Sequence, residues 1–469
     1  MAKLTNIICY WAAWVIIPIL LEVFPGIVYS FVLIWKKIKQ RKEKKLEYFK
    51  PIITVIIPVY NSKSTLYRCI QSVAESSYPI ELIEVLLVDN GSKDESFDEF
   101  QRAQLDFPKL GMWWMSSRQG KSKALNKAIF NSNGKYIINI DSDGVLQKEA
   151  LANVVKRFEN NKNIDAMTGV ILIEPDLIEK TDNFFLRQFQ KMEFVEYAQA
   201  FLAGRNYESQ FNSVFTLSGA FSAFRKSVLL KTFLYNTNTI CEDAHLAFQI
   251  KDILKKKVVL CESAIFMVDP IESLNKFYTQ RQRWQIGELE VLNMFMKSKM
   301  KSPILGSFTN QSIRMILKDH TFSFPRMIWY FALLAMGCMN YNFSQMGTAL
   351  ILIYILYVLG ALLYYFNIIT FLQDFKEIQI YYARKIGYVV MLPIYNLFSF
   401  FIRFAGIINS IVRQSTWKTK NFSEEMGEVG QVFGKDWKLL PMLRKKVKSL
   451  LEEPEGETCS INNINTNSI

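Results

Sequence analysis

The stretch Tyr136–Gly144, YIINIDSDG, decides how the rest of the chain is read. It is a short apolar run of the kind that forms a buried strand, and it ends abruptly in two carboxylates, Asp141 and Asp143. Two runs of the same character lie upstream, ITVIIPVY at 53–60 and EVLLVDNGS at 84–92. Continuous apolar character is expected of parallel strands covered on both faces. Helix-length segments at roughly 64–77, 94–105 and 121–132 separate the runs. This alternation predicts an α/β domain with a doubly wound parallel sheet and right-handed crossovers. Ligands of such sheets bind beyond the carboxyl ends of the strands. Polar residues stand at those ends here: Tyr60-Asn61, Asp89-Asn90, Asp141 and Asp143.

Further along, AMTGVILI (166–173) predicts a strand and 183–203 an aromatic-rich helix. VFTLSGAFSAFRKSVL (214–229) predicts a strand with a turn at Ser218-Gly219. Glu242-Asp243 opens a helical stretch of roughly 243–256, and VVLCESAIFMVD (258–269) reads as a last strand. Residues 273–300 are amphipathic and contain QRQRW at 280–284.

Of the 469 residues, 50% are hydrophobic and 14% aromatic, enough for a large core. The apolar residues gather at 8–35 and again at about 324–343, 345–372 and 386–411, runs that approach the ~20 residues needed to cross a bilayer. The first run is followed by the basic block KKIKQRKEKK (36–45), the reverse of a cleavable signal, and so reads as an anchor with its C-terminal end in the cytosol. The expected organisation is a transmembrane anchor (1–38), a cytosolic catalytic domain (50–270), interfacial amphipathic helices (271–320), a C-terminal transmembrane region (324–412) and a basic tail with a disordered end (413–469). A cytosolic tail requires one late run, such as 386–411 with Pro393 and Arg403, to be interfacial or re-entrant. The net charge of +13 sits largely at the ends of apolar runs, a lipid-headgroup pattern and not a nucleic-acid one. Six scattered cysteines without CxxC, and only two histidines, argue against a zinc site or a disulfide framework.

Three groups of residues carry chemistry. Asp141-x-Asp143 suits a hard divalent cation, which takes one or two carboxylates and completes its shell with water and phosphate; D-x-D before Gly also makes a turn. Asp89 can accept hydrogen bonds from a base or ribose in the same crevice, and Lys123, near the start of a helix, can turn a charge toward a nucleotide. Glu242-Asp243 supplies a general base for a hydroxyl acceptor, or simply caps its helix. Gln280, Arg283 and Trp284 combine an orienting amide, a fixed cation and a flat apolar platform, although Arg and Trp are also common membrane anchors.

ITVIIPVYN, VDNGS, KALN, DSD, SGAFSAFRKSVL, ED and QxxRW occur in an order and spacing that resembles the family 2 processive glycosyltransferases, membrane synthases like those of cellulose, hyaluronan and poly-N-acetylglucosamine. The resemblance covers about 50–300, plus WKTK at 417–420. The segment EFVEYAQAFLAGRN is similar to a narrower group, the exosortase-G-associated glycosyltransferases. The resemblance implies a GT-A, Rossmann-like domain with flanking transmembrane helices, located in the cell membrane as a multi-pass protein. It further implies that Tyr60, Asp89 and Lys123 contact uridine diphosphate, that Asp141 lies against the diphosphate, and that Asp143 ligates Mg²⁺ or Mn²⁺. Asp243, with Glu242 beside it, would be the base; Gln280, Arg283 and Trp284 would hold diphosphate and acceptor sugar; Ser218 and Gly219 would line the acceptor site. Cys241 stands where the family often has Thr. The implied activity is inverting transfer from a UDP-sugar to a growing glycan or lipid-linked acceptor, with membrane lipids around it and an accessory membrane subunit left open. Two alternatives stand beside it: single addition to a lipid or protein, and a non-catalytic nucleotide-sugar-binding scaffold.

Overall fold

The computed structural model describes residues 12, 14–16, 18–42, 48–299, 324–339 and 342–412. A wide π-type turn (Ile19–Val23) leads into α1 (Phe24–Lys42). The domain then runs β1 (Ile53–Val59), α2 (Leu66–Ala74), β2 (Ile83–Asp89), α3 (Ser96–Asp106), β3 (Gly111–Ser116), α4 (Lys121–Asn131), β4 (Tyr136–Ile140), β5 (Gly144–Leu146), α5 (Ala150–Asn160) and β6 (Ala166–Ile173). After it come α6 (Phe184–Tyr197), a second π-type turn (Ala198–Gly204), β7 (Phe221–Arg225), α7 (Glu242–Phe248) and β8 (Val258–Val268). The long helices α8 (Leu274–Lys299), α9 (Phe324–Cys338), α10 (Phe343–Phe371) and α11 (Ile386–Val412) follow.

The eight strands form one sheet in the order β3-β2-β1-β4-β7-β6-β8-β5. β1, β2, β3 and β4 pair in parallel, and the apolar runs of β1 and β4 are buried along their whole length, as expected where helices cover both faces. The far half corrects the expectation of a purely parallel sheet. β7 runs antiparallel to both β4 and β6, and β5 antiparallel to β8. A run buried on both faces has no alternation to show which way it runs, so the reversal left no mark in the sequence. The register Val59↔Asp89 and Asp89↔Ser116 aligns the carboxyl ends of β1, β2 and β3 along one rim.

Two helical expectations also change. The stretch expected at 243–256 starts one residue earlier, at Glu242, and its last turn widens to a π-type turn at Gln249–Ile253. The helix expected at 183–203 is α6 up to Tyr197, and π-type beyond it.

Among the described residues two segments are long and apolar enough to cross a membrane, Phe343–Asp374 and Ile386–Asn409. The expected third, α9, has 15 residues. The expectations for the basic tail (413–469), for the second half of the interfacial segment (300–323) and for the first turns of the anchor lie outside the described residues. α1 is joined to the domain: Lys36 pairs with Glu262 at 2.9 Å, Glu262 also receives Arg157 at 2.9 Å, and the buried Tyr29 hydroxyl accepts from the Tyr207 amide at 3.2 Å.

Candidate active site

The rim beyond β1, β2 and β4 is stitched by loop-to-loop hydrogen bonds. Asn61, in the left-handed region at φ 51°, accepts from the Lys93 amide at 2.9 Å, and its own amide donates to Ser92 Oγ at 3.0 Å. Asp89 Oδ1 accepts from the Ser92 amide at 2.9 Å, and its carbonyl accepts from the Ser117 amide at 2.7 Å. The Gly120 amide donates to the Asn90 side chain, which brings the start of α4 onto the same rim. Tyr60 is half exposed there, its hydroxyl accepting from Gln119 at 3.3 Å.

Asp141 and Asp143 flank a sharp exit from β4. The Asp141 amide donates to the Ala220 carbonyl at 3.2 Å. Immediately after Asp143, a Cβ at Gly144 would lie 2.5 Å from both the Met267 carbonyl and the Phe266 ring, so only glycine lets the chain pass. Asp143 is open to solvent on one side but sits in a concave wall of protein. That desolvation, and then the charge of Asp141, push its carboxyl up to about 6. Two carboxylates of like charge, close enough that Asp141 raises the pKa of Asp143, are a fit for a hard divalent cation, although among the described residues no group of three or more His, Cys, Asp or Glu side chains converges.

The cation that faces this pair is Lys121. Lys121 Nζ is ion-paired with Asp141 and lies 3.4 Å from the Gly219 carbonyl. Burial alone would depress its pKa, but Asp141, Glu242 and Asp243 together hold it well above the ordinary lysine value. Lys123, two positions on, is exposed, and its Cδ would lie 3.5 Å from a Cβ at Gly120, beside the same rim. In the sequence GKSK the packing of α4 turns Lys121 to the carboxylates and leaves Lys123 exposed.

Lys121 joins the Asp141-Asp143 pair to the Glu242-Asp243 pair. Asp243 Oδ2 accepts from the Gly219 amide at 2.9 Å, and Oδ1 from the Ala244 amide at 2.7 Å. Ser218, buried, hands its amide to Thr168 Oγ1 at 3.1 Å, and Thr168 Oγ1 also receives Arg205 at 3.0 Å. Arg205 was not anticipated. It is a cation in electrostatic reach of Asp243, placed by the π-type turn that precedes it. Burial raises the carboxyls of both Glu242 and Asp243, against the opposing pull of Lys121 on each and of Arg205 on Asp243. The structure thus brings together Asp141, Asp143, Ser218, Gly219, Glu242 and Asp243 around Lys121, with Tyr60 and Asp89 on the adjoining rim.

Gln280, Arg283 and Trp284 lie on α8, which is in contact with α7. A Cβ at Gly287 would fall 2.2 Å from Cys241 Sγ, so the small residue on α8 accommodates the residue before the Glu242-Asp243 pair. Three residues beyond Gly287, Glu290 accepts from Thr239 Oγ1 at 3.0 Å and from the Ile240 amide at 3.1 Å. Trp284 is half-buried, its ring 6.3 Å from Tyr197 and 6.2 Å from Phe201.

Residues 54–233 match the family model described as glycosyl transferase family 2. Among curated proteins, the poly-beta-1,6-N-acetyl-D-glucosamine synthase of Staphylococcus epidermidis is 26% identical over 263 residues, covering 55% of this chain and 59% of that protein. The same-named synthase of Staphylococcus aureus (strain COL) is 24% identical over 254 residues, covering 53% and 58%. The chain therefore spans under two thirds of the length of these relatives. Among solved structures, the mannosyltransferase PcManGT from Pyrobaculum calidifontis in complex with GDP-Man and Mn²⁺ overlaps 81% of this chain and 98% of its own, at 18% identity and a TM-score of 0.49. The domain has the GT-A glycosyltransferase fold, with the mixed sheet described above.

Proposed function

We propose that this chain, whose residues 54–233 match the glycosyl transferase family 2 model, is a glycosyltransferase that moves a sugar from a UDP-sugar to a hydroxyl acceptor with inversion, in the synthesis of a β-linked cell-surface polysaccharide. The observation that carries this reading is the contact of Asp243 with Gly219 and its closeness to Lys121, which itself binds Asp141. One cation thus spans the donor carboxylates and the base. In this reading Tyr60 and Asp89 receive the nucleoside, and Asp141, Lys121 and Arg283 the diphosphate. Asp143, with Asp141, would hold Mg²⁺ or Mn²⁺. When bound, such an ion supplies Lewis-acid neutralisation of the leaving diphosphate. Gly219 and Ala244 point both oxygens of Asp243 by backbone N–H bonds, so the carboxylate is fixed in place to accept the acceptor's proton. The acceptor hydroxyl attacks the anomeric carbon from the face opposite the diphosphate, and an α-linked donor gives a β-linked product. Ser218, Gly219 and Trp284 form the acceptor wall. In this reading the protein sits in the cell membrane, with the growing glycan leaving through or along it, and the two apolar segments Phe343–Asp374 and Ile386–Asn409 support it.

Replacement of Asp243 by Asn tests the reading. Transfer falls by about 10²–10⁴-fold while UDP-sugar binding, measured by titration calorimetry, stays within about threefold. Transfer near the wild-type rate in D243N removes Asp243 from the base role. Chelation stops transfer and added Mg²⁺ or Mn²⁺ restores it; persistence of full activity in chelator removes the ion from the mechanism. The length distribution of product made from labelled donor separates processive synthesis from single addition.

A further inference from the structure

The pentad QRQRW has two residues between Gln280 and Arg283, and one of them, Arg281, is the largest fully buried side chain among the described residues, at 1% exposure. A buried guanidinium is costly unless it is paired. Arg281 is paired with Glu196 of α6, whose same oxygen accepts the Tyr395 hydroxyl of α11 at 3.0 Å. Its guanidinium also lies 4.4 Å from the centre of the Trp284 ring, 4.8 Å from that of Phe277 and 5.5 Å from that of Tyr197. Phe277 in turn stacks on Phe398 of α11, with centroids 6.3 Å apart and planes within 10°.

These contacts divide the pentad by direction. Arg281 faces inward, into a wall made by α6 and the apolar α11, and Trp284, one turn later on α8, is held against that wall by the same guanidinium. A planar guanidinium can pair edge-on with a carboxylate while presenting its face to an indole, which an ammonium cannot do. We propose that Arg281 is the positioning residue that fixes the Trp284 indole as the acceptor platform, anchored through Glu196 and Tyr395 to the apolar helix α11. This rests on the acceptor role given above to Trp284. It adds the device that sets the angle of that platform and its tie to the membrane-side helix.

The test uses the full-length protein in lipid vesicles with 5-fluorotryptophan, the Trp284 fluorine resonance being identified by its loss in W284F. In R281K that resonance shifts or broadens while the remaining Trp resonances stay in place. Transfer kcat falls by about 10–100-fold with the donor KM within about twofold, because the stack is lost and the charge kept. W284A shows the same acceptor-selective loss, and R281K/W284A loses no more than W284A alone, since the two residues act as one unit. The double replacement R281M/E196M removes the buried pair as a pair, so Tm returns toward wild type while transfer stays low. An unmoved Trp284 resonance, losses that multiply in R281K/W284A, or transfer that recovers with Tm in R281M/E196M each overturns the proposal. Failure of the functional reading shows separately, as no UDP release by the wild-type protein from any UDP-sugar, and the fluorine spectrum still decides the placement of Trp284.

Discussion

The two halves of the site are held by different means. From Tyr60 to Asp143 the functional groups stand at the ends of adjacent parallel strands and are fixed by backbone register and short loop-to-loop bonds. Around Asp243 the groups come from Thr168, Arg205, Gly219, Cys241 and Gly287, on segments far apart in the chain that meet through side-chain hydrogen bonds and packing, with strand register tying only Thr168 to the segment after Gly219. A substitution on the rim therefore acts locally, whereas one remote from Asp243 can displace this proposed base. Lys121 belongs to both halves, which makes it the sharpest test of the division.

Lys121→Met removes the cation that opposes the raised carboxyls of Glu242 and Asp243, and leaves Asp141 without its ion pair. Transfer at pH 7 falls by about 10²–10³-fold, as for loss of one preorganised electrostatic partner. The proposed base, Asp243, must be ionised to act, and without Lys121 its pKa rises further, so the acid limb of the kcat profile moves to higher pH. Lys123→Met, on the exposed side of the same helix, changes transfer by less than about threefold. Equal losses in the two variants, measured by UDP release across pH 5–9, erase the distinction between these lysines.

Gly287→Ala probes the packed half from the α8 side. Its Cβ would overlap Cys241 Sγ, an overpacking that costs about 1–3 kcal/mol. Because Cys241 precedes Glu242-Asp243, the expected result is a lower Tm together with a fall in transfer, while donor binding on the rim is kept. Donor affinity falling as much as kcat in G287A shows that the halves are not independent.

The division also explains what the sequence discloses. β1, β2, β4 and β6 are legible because strands buried on both faces must be continuously apolar, and their polar terminal residues mark the rim directly. β3 is an edge strand, GMWWMS, with only Met112 fully buried, and β5 is three residues long, so neither carries a periodic signal. The packed half is visible only through its short motifs. The Asp243 side chain can be picked from the Glu242-Asp243 pair, but Arg205 and Thr168 reach it through contacts between segments 37 residues apart, which no local pattern records. The Arg281–Glu196 pair, 85 residues apart, is hidden in the same way, and an Arg within a polar motif reads as solvated until its burial is known.

The smallest effect comes from Glu193, a second carboxylate on α6 beside the Arg281 pair. It is 1% exposed and accepts from the Ile271 amide at 3.2 Å. Burial pushes its carboxyl from 4.5 up to about 7, with Arg281 pulling the other way. In the unfolded chain this group loses its proton near the lower value, so between the two values the folded protein retains a proton that the unfolded chain has released. Stability therefore falls as pH rises through that window, and the full penalty is present above it. Glu193→Gln keeps an acceptor for Ile271 and removes the charge. It raises stability by on the order of 1–2 kcal/mol at pH 8, leaves it nearly unchanged at pH 4, and alters transfer by less than about threefold. Denaturation at both pH values checks this. Equal stabilisation at pH 4 and pH 8 means that Glu193 is not held protonated by burial, and a large loss of transfer means that the wall behind Trp284 depends on Glu193 as well as on the Arg281–Glu196 pair.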